Sequence, residues 1–237
     1  MGEVKESAER NEDLQMSLTL LIGNKNYSSW SLRPWITMKV AGIPFEEELI
    51  HFDSSDFKHR VGVLSGNGKV PLLIDGEIRI WESLAILEYL AERFPAAAIW
   101  PKETAVRAHA RAIANEMHAG FVPLRGHLPM NISRPVIARA LTPEVEANVR
   151  RLEAIFAECL RLYGAPFLFG AFSAADAMYV PVLSRLYTYD VPISAETRPY
   201  MHAVMALPAW KEWSDAARKE TWVFAEDEVD WPKVLRA

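Results

Sequence analysis

The chain has 237 residues, half of them hydrophobic, and a formal net charge of −5. This length is enough for one large or two modest domains with real cores. The net negative charge argues against a nucleic-acid-binding protein, and no apolar run approaches the roughly 18 residues of a membrane span. The single cysteine, Cys159, excludes an internal disulfide and fits a reducing compartment, so we expect a cytoplasmic protein.

Residues 1–16 are charged and lack the apolar core of a secretory signal. We expect a disordered extension there, and Met16 is an alternative to Met1 as the natural start. The apolar run 18–22 predicts a buried strand. Residues 35–41 predict a helix that ends at Gly42 and has Pro34 in its first turn. The serines at 28, 29 and 31 are therefore expected near a helix N-terminus, which favours an anion such as a thiolate.

The next segments predict the rest of a small sheet. Residues 45–52 predict a half-exposed strand with its glutamates in solvent, and residues 53–64 predict a short helix or an irregular loop. Two apolar runs, 70–75 and 78–81, flank Asp75-Gly76 and predict a hairpin. A helix is expected from Glu82-Ser83 to Phe94, before Pro95. The order is β-α-β, a linker and β-β-α, with a parallel half and a hairpin half.

Strand signals vanish after Pro101, so the second half is expected to be all-helical. We predict a helix over 105–128 with a kink at Pro123, then a loop over 129–141. Further helices are predicted from Thr142-Pro143 to about Tyr163, from the Ser173–Asp176 capping box through Tyr187, and over 196–206 and 208–219. The expected domains are residues 17–96 and 97–237.

Several chemistries lack support in the sequence. The Gly66-Asn67-Gly68-Lys69 turn lacks the first glycine and the Ser/Thr of a phosphate-binding loop. No CxxC or HExxH metal motif occurs, so we expect no metal. Ser28 and Ser29 do not lie in a G-x-S-x-G elbow, so a hydrolase triad is not indicated.

Two further features adjoin predicted strand ends. A cis Val70–Pro71 bond would present backbone groups to a ligand, whereas a trans proline opening an edge strand is what the local sequence favours. Glu82-Ser83 offers a carboxylate, a hydroxyl and helix N–H groups suited to a zwitterionic amino-acid head group. The alternative is that Ser83 simply caps the helix, and both can hold together.

The serine turn, the segment 67–73 and the segment 82–86, taken in this order, closely resemble the cytosolic glutathione transferases. The resemblance covers nearly all of the chain after Met16, and residues 172–176 match the family's capping motif. It implies an α/β, thioredoxin-like N-terminal domain (βαβ-ββα) followed by an all-α C-terminal domain. Residues 27–33 are most similar to the serine-type branches, zeta-like and bacterial members in particular. Trp30 stands where zeta members carry cysteine, which weakens the transfer of their isomerase activity and disfavours thiol–disulfide chemistry.

The resemblance also implies roles for individual residues. Ser28 would donate to the thiol of glutathione, with Ser29 as runner-up and Tyr27 as a weaker rival. The remaining glutathione contacts would come from Val70 beside a cis Pro71, from Glu82 and Ser83 at the γ-glutamyl end, from Lys69 at the glycyl carboxylate unless it is solvated, and from Trp30. Arg33 would pair with an acid of the helical domain.

The stabilisation of the thiolate that this role requires can be calculated. A free thiol with a pKa of about 8.5 is only ~3% thiolate at pH 7. Lowering that pKa to about 6.5 gives ~75% thiolate and needs roughly 2.7 kcal/mol of differential stabilisation. A hydroxyl donor at a helix N-terminus can supply this.

The function implied is a glutathione transferase that attacks a small hydrophobic electrophile in a cleft between the domains. Arg111, Met117, His118 and Phe121 are candidates for the wall of that cleft, unless they are core or surface residues. Trp231 would cover the pocket or be disordered. The alternatives are a maleylacetoacetate-like isomerase and a non-catalytic glutathione or ligand-binding protein. The resemblance implies a homodimer, and we expect no nucleic-acid or membrane partner.

Overall fold

The computed structural model describes residues 18–52, 54–55 and 57–229. The extension expected at 1–16 and the residue Trp231 lie outside the described residues, as does Asp53. The first half contains β1 (Leu18–Ile22), α1 (Ser29–Val40), β2 (Phe45–Leu49), β3 (Leu72–Asp75), β4 (Ile78–Trp81) and α2 (Ser83–Arg93). This confirms the predicted β-α-β and β-β-α order. Between β2 and β3 the chain makes a π-helical turn, Phe57–Val61, and a short helical turn, Gly62–Leu64.

The strand order places three chain segments at one end of the strands. The order is β2-β1-β3-β4, with β1 and β2 parallel and the other pairs antiparallel. Leu72 at the start of β3 faces Leu21 near the end of β1 on one side and Trp81 at the end of β4 on the other. Three segments therefore meet at this end of the sheet: the turn after β1, the residues before β3 and the residues after β4.

The two central strands, β1 and β3, bury both of their faces. Leu18, Leu20 and Ile22 of β1 belong to the main core, whereas Leu21 packs with Ile50 in a smaller cluster on the opposite face. This alternation is the period of two that a strand imposes on its side chains. The main core continues without interruption into the helical half.

The second half is all-helical, as predicted. Its helices are α3 (Thr104–Ala119), α4 (Val122–His127), α5 (Pro143–Tyr163), α6 (Ala174–Thr188), α7 (Thr197–Ala206) and α8 (Pro208–Lys219). Helix α6 lies at the centre, with nearly all of its residues buried, and packs against both α1 and α3. Its capping box between Ser173 and Asp176 is present as predicted. Across the described ranges, none of the helices combines the length and apolarity that crossing a membrane requires.

Helix α1 begins earlier than predicted. It starts at Ser29, so Pro34 lies inside the helix and not in its first turn. Proline removes one backbone hydrogen bond there. Leu32, Trp35 and Ile36 are fully buried on this helix, and their packing stabilises it around the proline.

The single helix predicted over 105–128 is wrong. The structure has α3 and α4, separated at Gly120-Phe121, where Phe121 takes a left-handed conformation with φ of 58°. Pro123 falls in the first turn of α4 and not at a kink. A proline ring clashes with the carbonyl four residues before it, so the helix stops before Pro123 and restarts around it.

Candidate active site

The turn after β1 presents two serines to an open cavity. The Ser28 N–H donates to the Asn24 carbonyl at 2.8 Å, and Ser28 is the N-cap residue of α1 without using its hydroxyl as a cap. Ser28 and Ser29 both line a cavity of about 430 Å³. The serines therefore lie at the helix N-terminus with their side chains available for other contacts.

A third serine stands directly behind the first. Ser31 is fully buried, and its Oγ lies 2.7 Å from Ser28 Oγ. The Gly23 N–H donates to Ser31 Oγ at 3.2 Å. A Cβ at Gly23 would clash with the Phe52 ring, so glycine lets the backbone approach that ring without displacing it.

The residues before β3 form the second part of the site. The Val70–Pro71 bond is cis, so the trans bond that the local sequence favours is wrong. Lys69 and Val70 line the large cavity and also a neighbouring cavity of about 250 Å³. Pro71 lines the smaller one.

The residues after β4 form the third part. Glu82 has a φ of 69°, and its carboxylate accepts a hydrogen bond from Asn67 Nδ2 at 2.8 Å. Ser83 is the first residue of α2, and its hydroxyl does not cap the helix. The alternative prediction, that Ser83 serves as the helix cap, is therefore wrong. Its Oγ is buried and has no hydrogen-bond partner among the described residues. Glu82 and Ser83 both line the smaller cavity, where a polar ligand can satisfy this hydroxyl.

Trp30 stands where the two cavities adjoin and lines both of them. The Arg33 guanidinium lies over its ring at 3.9 Å, and the Arg125 guanidinium lies at 5.3 Å from the ring centroid. The His118 ring meets it edge-on at 5.3 Å. Trp30 therefore contacts cationic and titratable groups of both halves of the chain.

Family models of the glutathione S-transferases match both halves of this chain. The N-terminal domain of the family matches residues 27–93, and the C-terminal domain matches residues 136–216. The chain belongs to the glutathione S-transferase family. This establishes the thioredoxin-like and all-helical domains that the sequence predicts.

The proteins that this chain is similar to have several names. It is 37% identical to a probable maleylacetoacetate isomerase of Caenorhabditis elegans over 98 residues, which cover 41% of this chain and 45% of that protein. It is 31% identical to protein IN2-1 of Zea mays, over 69% of this chain and 63% of that protein. Glutathione S-transferase T1 of Arabidopsis thaliana is 30% identical, over 65% of this chain and 67% of that protein. The chain thus spans less than two thirds of the length of the first two.

Solved structures share the fold. A glutathione transferase homologue from Burkholderia, solved with bound glutathione, has a TM-score of 0.67 at 23% identity, over 86% of this chain and all of that one (100%). A maleyl pyruvate isomerase, described as a bacterial transferase of the zeta class, has a TM-score of 0.67 at 22% identity, over 85% of this chain and 99% of that one. At these identities the likeness concerns the fold.

The fold does not bring the four predicted wall residues to the lining of the large cavity. Arg111 forms a bidentate salt bridge with Glu88 of α2, with its Nε 2.9 Å from Oε1 and its Nη2 2.5 Å from Oε2. Met117 is fully buried in the core. Phe121 is also a core residue, at the break between α3 and α4. His118 alone reaches the site region, through Trp30 and through Glu82, whose carboxylate lies 3.7 Å from its Nε2. Burial lowers the pKa of His118, while Glu82 acts in the opposite direction.

The wall of the large cavity in the helical half comes from other residues, which the sequence did not indicate. They are Arg125, Pro129, Met130, Arg185, Phe224 and Asp227. Burial raises the pKa of Asp227 to about 6, and Arg185 opposes this rise. Burial lowers the pKa of Arg185 to about 10. Arg125 lies just after the helix break at Phe121, which the sequence did not predict, so the sequence held no signal for it.

Arg33 has a different role from the predicted one. It is fully buried, its Nε donates to the Met178 carbonyl at 3.3 Å, and its two Nη atoms have no hydrogen-bond partner among the described residues. No acid of the described residues pairs with it, so the predicted ion pair is wrong. Burial lowers the pKa of Arg33, and Arg185 and Arg125 lower it further. The cost of burying the Arg33 charge is partly offset by its contact with the Trp30 ring face and by its hydrogen bond to the Met178 carbonyl.

Residues 220–229 form a strap that crosses the serine turn. The Glu220 carboxylate accepts the backbone N–H groups of Lys25 at 2.6 Å and Asn26 at 3.1 Å. Further along the strap, the Phe224 ring packs 6.3 Å from the Tyr27 ring. Tyr27 donates its hydroxyl to Glu228 Oε1 at 2.6 Å. The strap therefore holds the turn and engages the Tyr27 hydroxyl. No group of metal-ligating side chains occurs among the residues that the structure describes.

Proposed function

We propose that this protein binds glutathione in the smaller cavity and uses Ser28 to stabilise its thiolate for attack on a small hydrophobic electrophile in the larger one. The observation that carries the proposal is the meeting of the two cavities at Trp30, Lys69 and Val70, beside the serine turn. The smaller cavity is lined mainly by polar residues, among them Asn67, Glu82 and Ser83. The larger cavity has aromatic walls, including Phe52, Phe57 and Phe224.

The polar groups of the smaller cavity suit the parts of glutathione. The unpartnered Ser83 hydroxyl and the Glu82 carboxylate would hold the carboxylate and the amine of the γ-glutamyl end. The backbone of Val70 would pair with the cysteinyl unit, and Lys69 would meet the glycyl carboxylate. The cysteinyl sulfur would then lie toward the Ser28 turn.

Among the hydroxyl groups near the turn, Ser28 is the best candidate for the thiolate donor. Tyr27 lines the large cavity, but its hydroxyl is engaged by Glu228 at 2.6 Å. Ser29 lines the same cavity and remains the runner-up. In the reaction the thiol proton leaves to solvent, the thiolate forms a bond to carbon, and the leaving group departs with its electron pair.

Ser28→Ala tests this role. We expect the bound thiol to return toward its ordinary pKa of about 8.5, so the thiolate fraction at pH 7 falls by about 25-fold and the conjugation rate falls with it. Ultraviolet absorbance of the thiolate and the rate with chlorodinitrobenzene are the measurements, with glutathione binding retained. Ser214→Ala, a buried serine whose hydroxyl bonds the Lys211 carbonyl of α8 at 3.1 Å, is the matched control. An unchanged rate in Ser28→Ala would remove Ser28 from the role and leave Ser29→Ala to be tested.

A glutathione-dependent isomerase is the second candidate. Arg125 and Arg185 line the large cavity, and a maleylacetoacetate-like substrate carries carboxylates that guanidinium groups recognise. The C. elegans relative is named as a probable isomerase of this kind. Assays with a cis-diene acid and with chlorodinitrobenzene separate the two functions, and turnover of the aromatic chloride alone counts against isomerisation. Glutathione binding without any thiolate absorbance would instead favour a binding protein.

The proposal extends to the organisation of the chain. We propose a glutathione-binding domain at residues 17–96 and a helical domain at 97–237, because the short turn Pro95–Ala97 separates α2 from α3. We also propose a cytoplasmic homodimer, in keeping with the family resemblance.

A further inference from the structure

We propose that Ser31 is a positioning residue for the thiolate: its hydroxyl donates to Ser28 and thereby turns the Ser28 proton toward the sulfur of glutathione. The inference rests on the proposed role of Ser28. Ser31 lines neither cavity and is fully buried, so it acts on the ligand only through Ser28.

The hydrogen bonds around Ser31 leave its proton available. A hydroxyl donates one hydrogen bond and accepts up to about two. Ser31 Oγ accepts the Gly23 N–H at 3.2 Å and lies 2.7 Å from Ser28 Oγ. The separation between the two oxygens allows either proton to lie between them, because hydroxyl groups rotate.

The two arrangements differ in what Ser28 offers to the cavity. When Ser28 donates to Ser31, its proton points away from the sulfur. When Ser31 donates to Ser28, the Ser28 proton is free to point at an anion. A thiolate is only an acceptor, so its presence selects the second arrangement.

The second arrangement forms a chain of donors: the Gly23 N–H, the Ser31 hydroxyl, the Ser28 hydroxyl and the sulfur. Linked hydrogen bonds in a buried setting polarise one another, so the last donor is stronger than an isolated hydroxyl. No proton is passed along this chain, and the thiol proton leaves to solvent. The first donor is a backbone N–H, that of Gly23, whose backbone lies against the Phe52 ring.

The experiment is an ultraviolet titration of glutathione bound to the wild type, Ser28→Ala, Ser31→Ala and the double variant. We expect Ser31→Ala to raise the pKa of the bound thiol by about half a unit to one unit, and Ser28→Ala to raise it more. In the Ser28→Ala background, Ser31→Ala should cause no further shift. At about pH 5.5, where bound glutathione is a thiol in every variant, its affinity should change by less than about twofold, since Ser31 does not touch the ligand. Ser214→Ala is again the control for removal of a buried helix serine.

Ser31→Thr and Ser31→Val have the same shape and differ in the hydroxyl, so they give a second comparison if Ser31→Ala folds poorly. The threonine variant should keep a lower thiol pKa than the valine variant. If the pKa of the bound thiol in Ser31→Ala equals that in the wild type, while Ser28→Ala raises it, the inference is overturned and the role of Ser28 stays intact. The inference would also be overturned if Ser31→Ala raised the thiol pKa by the same amount in the Ser28→Ala background as in the wild type. A wild type that does not lower the thiol pKa would overturn both proposals.

Discussion

At the scale of single residues, the Ser83 hydroxyl is the clearest sign of a ligand site. It lies in the wall of the smaller cavity, and its Oγ is buried without a partner among the described residues. An unpartnered buried hydroxyl costs about 1–3 kcal/mol of stability. A ligand carboxylate would remove this cost on binding.

Ser83→Ala should therefore change stability and binding in opposite directions. The free energy of unfolding should stay the same or rise by about 1 kcal/mol, because the substitution removes an unsatisfied group. The dissociation constant for glutathione should rise about tenfold, because a hydrogen bond to a charged group is lost. Denaturant unfolding and titration calorimetry measure the two effects.

Ser173→Ala is the matched control for Ser83→Ala. Its hydroxyl is also buried, but it bonds Asp176 Oδ2 at 3.0 Å, far along the chain from the proposed ligand site. This variant should lose stability and bind glutathione normally. Normal glutathione binding by Ser83→Ala would show that Ser83 does not contact the ligand.

Which residues the sequence could identify depends on whether their surroundings are local. The serine turn and the Glu82-Ser83 pair stand out locally, because each lies beside a strand end and a helix start, whereas the choice of Ser28 as the thiolate donor comes from the family resemblance. The carbonyl that contacts Arg33 belongs to Met178 of α6, far along the chain, so no local pattern predicts a buried guanidinium without an acid. Arg185 reaches the cavity only because α6 packs against α1.

At the scale of elements, the strap formed by residues 220–229 joins the end of the chain to its beginning. Glu220 holds the backbone of the serine turn, and Asp227 lines the large cavity near Arg185. Burial raises the pKa of Asp227 to about 6 from its model-compound value of 3.8. The ionised carboxylate is thus less well accommodated in the folded protein than in the unfolded chain.

This sets a direction for the effect of pH. A raised carboxyl pKa contributes stability below the unfolded pKa, and that contribution is lost as the pH rises through the folded pKa. Between pH of about 4 and 6 the wild type should lose stability that Asp227→Asn keeps. Urea unfolding at several pH values measures the difference between the two proteins. Glu226→Gln, an exposed neighbour, is the control, and a pH-independent difference would contradict the prediction.

Elements were predictable where their ends are coded locally. The Asp75-Gly76 turn and the Ser173–Asp176 capping box each use residues adjacent in sequence, and both were predicted. The break between α3 and α4 lies at Phe121, whose left-handed backbone no local propensity favours. The start of α1 at Ser29 likewise depends on burial of the helix around Pro34.

At the scale of the whole molecule, the strand order is what brings the residues of the candidate site together. The segments around Ser28, Val70 and Ser83 are distant in sequence and meet only because β3 lies between β1 and β4. Strand patterns alone do not give this order. The structure shows it, in the pairing of Leu72 with Leu21 on one side and with Trp81 on the other.

The same strand order leaves β4 at the edge of the sheet, which bears on the predicted homodimer. Within the described residues β4 pairs only with β3, and it carries two large exposed apolar side chains, Ile78 at 50% and Trp81 at 41%. An apolar edge strand left in solvent favours association with another surface. We therefore expect this edge to contribute to contact with a second copy of the chain.

Light scattering tests both the homodimer and the contribution of β4. The wild type should have a mass near twice the 26.8 kDa of one chain, and Ile78→Glu should shift the mass toward 26.8 kDa, because a buried unpaired carboxylate opposes association. Val40→Glu, which places the same charge at the exposed end of α1, should leave the mass unchanged. A wild-type mass near 26.8 kDa would contradict the homodimer. A dimer that survives Ile78→Glu would move the interface away from β4, since the edge strand could not then be what the partner covers.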